Sequence, residues 1–145
     1  MPGTIGDACA YKDVELRLEQ RRGGGMASDI PERTLRFAGQ VLEVCLRLEK
    51  RSGVARRIAK QLFDASSSVG ANIAEGQGAQ SEADFLAKYC IALKEAREAH
   101  YWLRVTAANP HLMQKELPSL ISEANELVAI LTATVKTLKA RLGRL

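Results

Sequence analysis

At 145 residues with a formal net charge of +4, the chain is long enough for one domain with a sizeable core and is only mildly basic, which permits nucleic-acid or acidic partners without demanding them. Apolar residues make up 46% of the chain but aromatics only 5%, so packing must rest on Leu, Val, Ile and Ala, a mix that favours helix-on-helix contact over a sheet sandwich. Three widely spaced cysteines, Cys9, Cys45 and Cys90, exclude a disulfide framework and, with no CxxC pair, leave a zinc cage without an anchor.

The first 28 residues differ from the rest. They carry no apolar h-region, so a secretory signal is not expected. Tyr11 to Arg22 reads as a short charged helix, too short and polar to stand alone, and Gly23, Gly24 and Gly25 break the chain before Met26. The organisation is therefore read as a flexible N-terminal extension over 1–28 and a helical domain over 29–145.

The first helix starts near Asp29 to Pro31, with Asp29 as cap, Pro31 in the first turn and Glu32 at the positive end. It carries two apolar rows: Leu35, Ala38, Leu42 and Cys45, and beside them Phe37, Val41, Val44 and Leu48. Ser52 and Gly53 stop it. The second helix spans about Val54 to Glu75 with the row Ile58, Leu62, Ala65, Val69 and Ile73. Its second half is crowded with small residues, Ser66, Ser67, Ser68, Gly70 and Ala71, which invite close approach by another backbone. Gly76 and Gly78 are expected to end it.

The third helix has the clearest start, with Ser81 as N-cap and Glu82 and Asp84 in the first turn. Phe85, Tyr89, Ala92, Ala96, Ala99 and Leu103 form a coiled-coil-like seam that Asn109 and Pro110 close. The fourth helix begins near Pro118, and Leu117, Ile121, Ala124, Val128, Leu131, Val135, Leu138 and Leu142 keep an unbroken four-three pattern. The apolar run Leu127 to Val135 is too short to span a bilayer, so a soluble protein of a reducing cytoplasm is expected. Long helices joined by short loops predict an all-α, antiparallel up-down-up-down four-helix bundle.

A polar stripe on the third helix, Lys88, Ile91, Glu95, Glu98, Trp102 and Val105, sits beside Asn72 and Glu75 of the second. A di-iron reading needs a Glu-x-x-His on two helices; Glu98 stands three residues after Glu95, and His100 lies off that face. Asn72, Glu75, Lys88, Lys94, Glu95 and Glu98 are read instead as a structural polar network, with Lys94 placed to reach Glu98 one turn on. Gly76-Gln77-Gly78 follows a helix rather than a strand, so it makes no phosphate cradle. The serine run lacks a nucleophile elbow, and His100 and His111 have no ligand-spaced partners. No catalytic residue, metal or cofactor is expected.

Arg47, Lys50, Arg51, Arg56, Arg57 and Lys60 crowd the corner between the first two helices, and only Glu49 offsets them. In a bundle the turn between the third and fourth helices lies at the same end and adds Arg104 and Lys115. Lys136, Lys139, Arg141 and Arg144 form a second group at the opposite end. Such clusters bind phosphate backbones by counterion release without reading sequence; the bland alternative is a solvated helix face.

The segment SSVGANIAEGQGAQSEADFLAKYCIALKEAREAHYWL resembles the four-helix-bundle proteins of the 23S ribosomal RNA intervening-sequence family. Their pattern is Ser-Val/Ile-x-x-Asn-Ile-x-Glu, a short polar turn and an Asp/Glu-Phe helix, and Asn72, Glu75, Phe85, Lys88, Lys94, Glu95, Glu98 and Trp102 fall into it together. The resemblance runs from about Arg33 to Leu142. It implies a bacterial protein that assembles into a homopentameric ring. It also brings in a relative, the accessory protein of diversity-generating retroelements, which partners a reverse transcriptase. Two stretches depart from the pattern: Lys50-Arg51-Ser52-Gly53 stands where members often have Phe-Pro and an acid, and Gln77-Gly78-Ala79-Gln80 stands where an Arg-rich turn sometimes follows. The expected function is a non-enzymatic oligomeric scaffold that contacts RNA or DNA, beside an RNA-processing or reverse-transcribing partner. The alternative is a protein-protein interaction scaffold with no nucleic-acid role.

Overall fold

The computed structural model describes residues 30–143. Helix α1 spans Ile30–Glu49, α2 Gly53–Gln77, α3 Glu82–Ala108 and α4 Leu117–Leu142, and no strand occurs among the described residues. The fold is all-α. Helix α2 packs on both α1 and α3, and α3 packs on α4, while α1 and α4 touch sparingly. The expectations for residues 1–28, the Asp29 cap and Arg144 lie outside the described residues.

Local chemistry sets the helix ends. The Ser81 hydroxyl accepts from the Asp84 backbone N–H at 3.1 Å, and the Asp84 carboxylate accepts from the Gln80 N–H at 3.2 Å, which satisfies donors that the helix leaves open. Pro118 sits in the first turn of α4, where its missing N–H costs nothing. Gly76 does not end α2. The helix continues to Gln77, and Gly78 takes the cap position. Gly76 is buried, and a Cβ there would stand 3.1 Å from the Tyr89 ring, so its role is close approach of α2 to α3.

The core is built in two segments along the helices. One gathers Phe37, Val41, Val44 and Leu48 of α1 with Leu62, Leu103, Leu117 and Leu127. The other gathers Ile30, Val69, Ile73, Phe85, Tyr89, Leu131 and Leu138. Of the two apolar rows on α1, the row of Phe37 is buried. In the other row Cys45 is buried, but Leu35 and Leu42 face outward because α2 and α4 flank α1 without covering that side. The seam of α3 is buried throughout, from Phe85 to Leu103. On α4, Leu120, Leu127 and Ile130 join the expected row, so the apolar face is wider than a strict four-three seam.

Buried polar groups are few and mostly close on themselves. Thr34, Thr106 and Thr134 donate to carbonyls one turn back, at 2.9, 2.8 and 3.0 Å. Ser66 is fully buried and its hydroxyl has no partner among the described residues. The Cys45 Sγ–H donates to the Ala59 carbonyl, and burial, with Glu49 nearby, pushes its thiol up to about 12. It stays protonated and unreactive at neutral pH.

Gly76→Ala tests the close approach. Tyr89 is fully buried and stacked on Phe85 with ring centroids 4.3 Å apart, so it cannot yield easily. Overpacking of about 1–3 kcal/mol should outweigh a helix-propensity gain of about 1 kcal/mol, giving a lower midpoint in thermal denaturation. An unchanged or raised midpoint would show that the helices have room to spare.

Candidate nucleic-acid interface

The basic corner is real but unevenly committed. Arg47 donates from one guanidinium nitrogen to Gln114 Oε1 and Glu116 Oε1, both at 3.0 Å. Arg51 donates to the backbone carbonyl of His111. These bonds bring the loop between α3 and α4 against the α1–α2 corner, so Lys115 does lie near it. Lys60 is tied to Asp64 one turn on, at 2.6 Å. The side chains of Lys50, Arg56 and Arg57 are exposed and take part in no hydrogen bond or ion pair among the described residues. Half of the six candidate cations are therefore engaged within the fold and half project into solvent.

Several cross-helix pairs have no signal in the sequence because the partners are far apart in the chain. Arg33 makes a two-armed pair with Glu123, from Nε at 2.6 Å and from a terminal nitrogen at 3.0 Å. Arg141 meets Glu82 at 3.1 Å, which draws on the second basic group. The Glu116 carboxyl is held below the usual carboxylate range, first by its own backbone N–H and then by Arg47, against the opposing effect of burial. Between α1 and α4 an open cleft of about 400 Å³ is lined by Arg33, Arg36, Phe37, Gln40, Ser119 and Glu123.

The polar stripe divides in two. Lys88 donates to Glu75 Oε2 at 2.7 Å and joins α3 to α2; that bond and the Glu75 charge raise the lysine above its usual value. Further along, Trp102 Nε1–H donates to Glu98 Oε1 at 3.3 Å, and Asn72 Nδ2 donates to the Ser68 carbonyl within its own helix. Lys94 is exposed and makes no ion pair with Glu98. Burial raises the Glu95 carboxyl, helped by the like charges of Glu98 and Asp64 and opposed by Lys94. His100 is lowered by burial and by Arg104. Among the described residues no group of three or more His, Cys, Asp and Glu side chains could hold a metal ion. None of their helices is long and apolar enough to cross a membrane.

The features together define an all-α four-helix protein with charged rims and an apolar interior. The chain belongs to the 23S rRNA-intervening sequence protein family, whose model matches residues 27–133. A solved structure from Bacteroides thetaiotaomicron, a protein of unknown function from the S23 ribosomal protein family, is 31% identical. The match covers 74% of this chain and 95% of that one, with a TM-score of 0.65. No curated protein matches the chain.

Glu95→Gln follows from the carboxyl's raised pKa. A group that holds its proton more tightly when folded weakens the fold once it ionises, and the penalty is relieved as pH falls through the folded pKa. The substitution should raise the thermal midpoint slightly at pH 7, by no more than about 0.5 kcal/mol for a partly exposed side chain. The difference should vanish below the ordinary carboxylate range. A lower midpoint at pH 7 would show that ionised Glu95 is held by a favourable contact.

Proposed function

We propose that this chain is a non-enzymatic, oligomeric helical scaffold that binds the phosphate backbone of RNA or DNA at the corner between α1 and α2. The observation that carries the reading is the set Lys50, Arg56 and Arg57: three exposed cations, close in sequence, none of them in an ion pair among the described residues. The Arg51 side chain is bonded only to a backbone carbonyl and adds its charge to theirs, whereas that of Arg47 is balanced by Glu116. Backbone binding of this kind needs charge density rather than a shaped pocket. The family's name supports an RNA context.

The helices take an antiparallel, up-down-up-down course. Support comes from Arg141 late in α4 meeting Glu82 at the start of α3, and from Glu75 late in α2 meeting Lys88 early in α3. The scaffold is a homopentameric ring in the cytoplasm, working beside an RNA-processing or reverse-transcribing protein. A ring would repeat the corner five times about an axis and multiply a weak single contact. The second reading, a protein-interaction scaffold with no nucleic-acid role, draws on Arg47, Arg51 and Lys60 being used within the fold.

Filter binding of a structured RNA at two salt concentrations separates these readings. Retention should fall as salt rises, and Arg56→Gln with Arg57→Gln should weaken it and flatten the log–log salt slope by about two. No retention at low salt leaves the protein-interaction scaffold. Light scattering should give an assembly built on five copies of the 15.8 kDa chain, and a monomer mass would overturn the ring.

A further inference from the structure

The outward side of α1 carries an apolar stripe that none of the other described helices covers. Leu35, Leu42 and Leu46 are 64%, 38% and 50% exposed, although Phe37, Val41, Val44 and Leu48 of the same helix are buried. With Gly39 included, the stripe steps by four, three and four residues, which is the a and d spacing of a two-helix seam. A Cβ built at Gly39 would meet nothing within 4 Å, so the stripe has a notch with leucines on either side. Arg36 and Glu43 lie two turns apart along one flank of the stripe. Both are exposed, and neither forms an ion pair among the described residues.

We propose that α1 docks on α1 of a second copy of this chain, antiparallel, about a twofold axis near Gln40. In that register Leu35 faces Leu46 of the partner subunit, and Leu42 enters the notch at Gly39 of the partner subunit. Arg36 then meets Glu43 of the partner subunit, and symmetry makes the same pair a second time. Charge selects this orientation: a parallel pairing puts the two copies of Arg36, and the two of Glu43, on opposite sides of the seam, where neither residue meets a charge of the other sign. Shape selects it too, because a parallel pairing sets one glycine notch against the other and leaves a void between the leucines. Flank charges of this sort decide partner orientation in paired helices. Glu32 and Glu49 bound the stripe at its two ends and hold the seam to about three turns, so association is modest and concentration-dependent. The contact is isologous and closes on itself. Added to the five-membered ring proposed above, with its twofold axis lying across the ring axis, it pairs one ring with a second and doubles the assembly.

The experiment uses the full chain, light scattering over a concentration series, and circular dichroism to confirm helix content. Arg36→Glu alone and Glu43→Arg alone should each halve the limiting mass, because each sets like charges across the seam. An equimolar mixture of the two variants should recover the full mass. One variant then carries acids at both flank positions and the other carries cations at both, so every flank contact between them joins opposite charges. Leu42→Arg should halve the mass and should not be rescued by mixing. Four results overturn the proposal: an unchanged mass in the folded variants, a wild type that is monomeric throughout, failure of the mixture to recover, or collapse of a larger assembly to single chains instead of halves. An unchanged mass at five copies would overturn the α1 contact and leave the ring standing.

Discussion

Close approach along α2 is the constraint on which the rest of the structure depends. This helix touches both α1 and α3, and the face it buries sets Ala55, Ala59, Ala65, Ser66 and Gly76 between the larger Leu62, Val69 and Ile73. A Cβ at Gly70 would lie 3.4 Å from the Thr34 hydroxyl, and one at Gly76 would lie 3.1 Å from the Tyr89 ring. Glycine in a helix costs about 1 kcal/mol relative to alanine, and the short interhelical distance recovers it through dispersion with fully buried neighbours. With α2 drawn in, the larger residues of its neighbours, Phe37, Tyr89 and Leu103, fill the space that remains. The serine run belongs to the same arrangement: Ser66 is wholly enclosed even though its hydroxyl is left without a partner among the described residues.

Charge is kept at the rims. The ion pairs Arg33–Glu123, Arg47–Glu116, Lys88–Glu75 and Arg141–Glu82 all join different helices or the loops that border them, and all keep some solvent exposure. Pairs of that kind add little stability but penalise wrong neighbours, so they select which helix faces lie together. The buried threonine hydroxyls are bonded to their own helices, which adds no cross-helix specificity. Interior packing is thus apolar and tolerant, while recognition between helices is written along the edges. The basic corner combines both uses: some of its cations hold the loop between α3 and α4, and the others face solvent.

The fold was legible where one physical period dominated. The α3 seam and the Ser81 cap follow from 3.6-residue periodicity and open N–H groups and occur as read, whereas the α4 row is shifted in part: Leu120, Leu127 and Ile130 are buried, and Ile121, Val128 and Leu142 are only half-buried. The α1 rows were ambiguous because two adjacent apolar rows are equally periodic; only tertiary packing decides that Phe37 goes in and Leu35 stays out. Gly76 read as a stop because glycine usually is one at a helix end, yet the Tyr89 ring gives it a steric purpose that lies thirteen residues downstream. In the candidate interface, the cluster of cations was visible but its internal commitments were not. Nothing in the local sequence links Arg47 to Glu116 or Arg33 to Glu123, since such pairs exist only once the chain is folded.

The sparse meeting of α1 with α4 makes that contact the one most sensitive to the ionic medium. Elsewhere neighbouring helices share broad contact, but here a narrower one is edged by two arginine–glutamate clasps, one of them at the rim of a cleft. Coulomb clasps weaken as mobile ions accumulate around them, whereas apolar contact does not. Salt therefore weakens the charged part of this contact, while the core that Phe37 and Leu48 of α1 share with Leu117 and Leu127 of α4 keeps its hold.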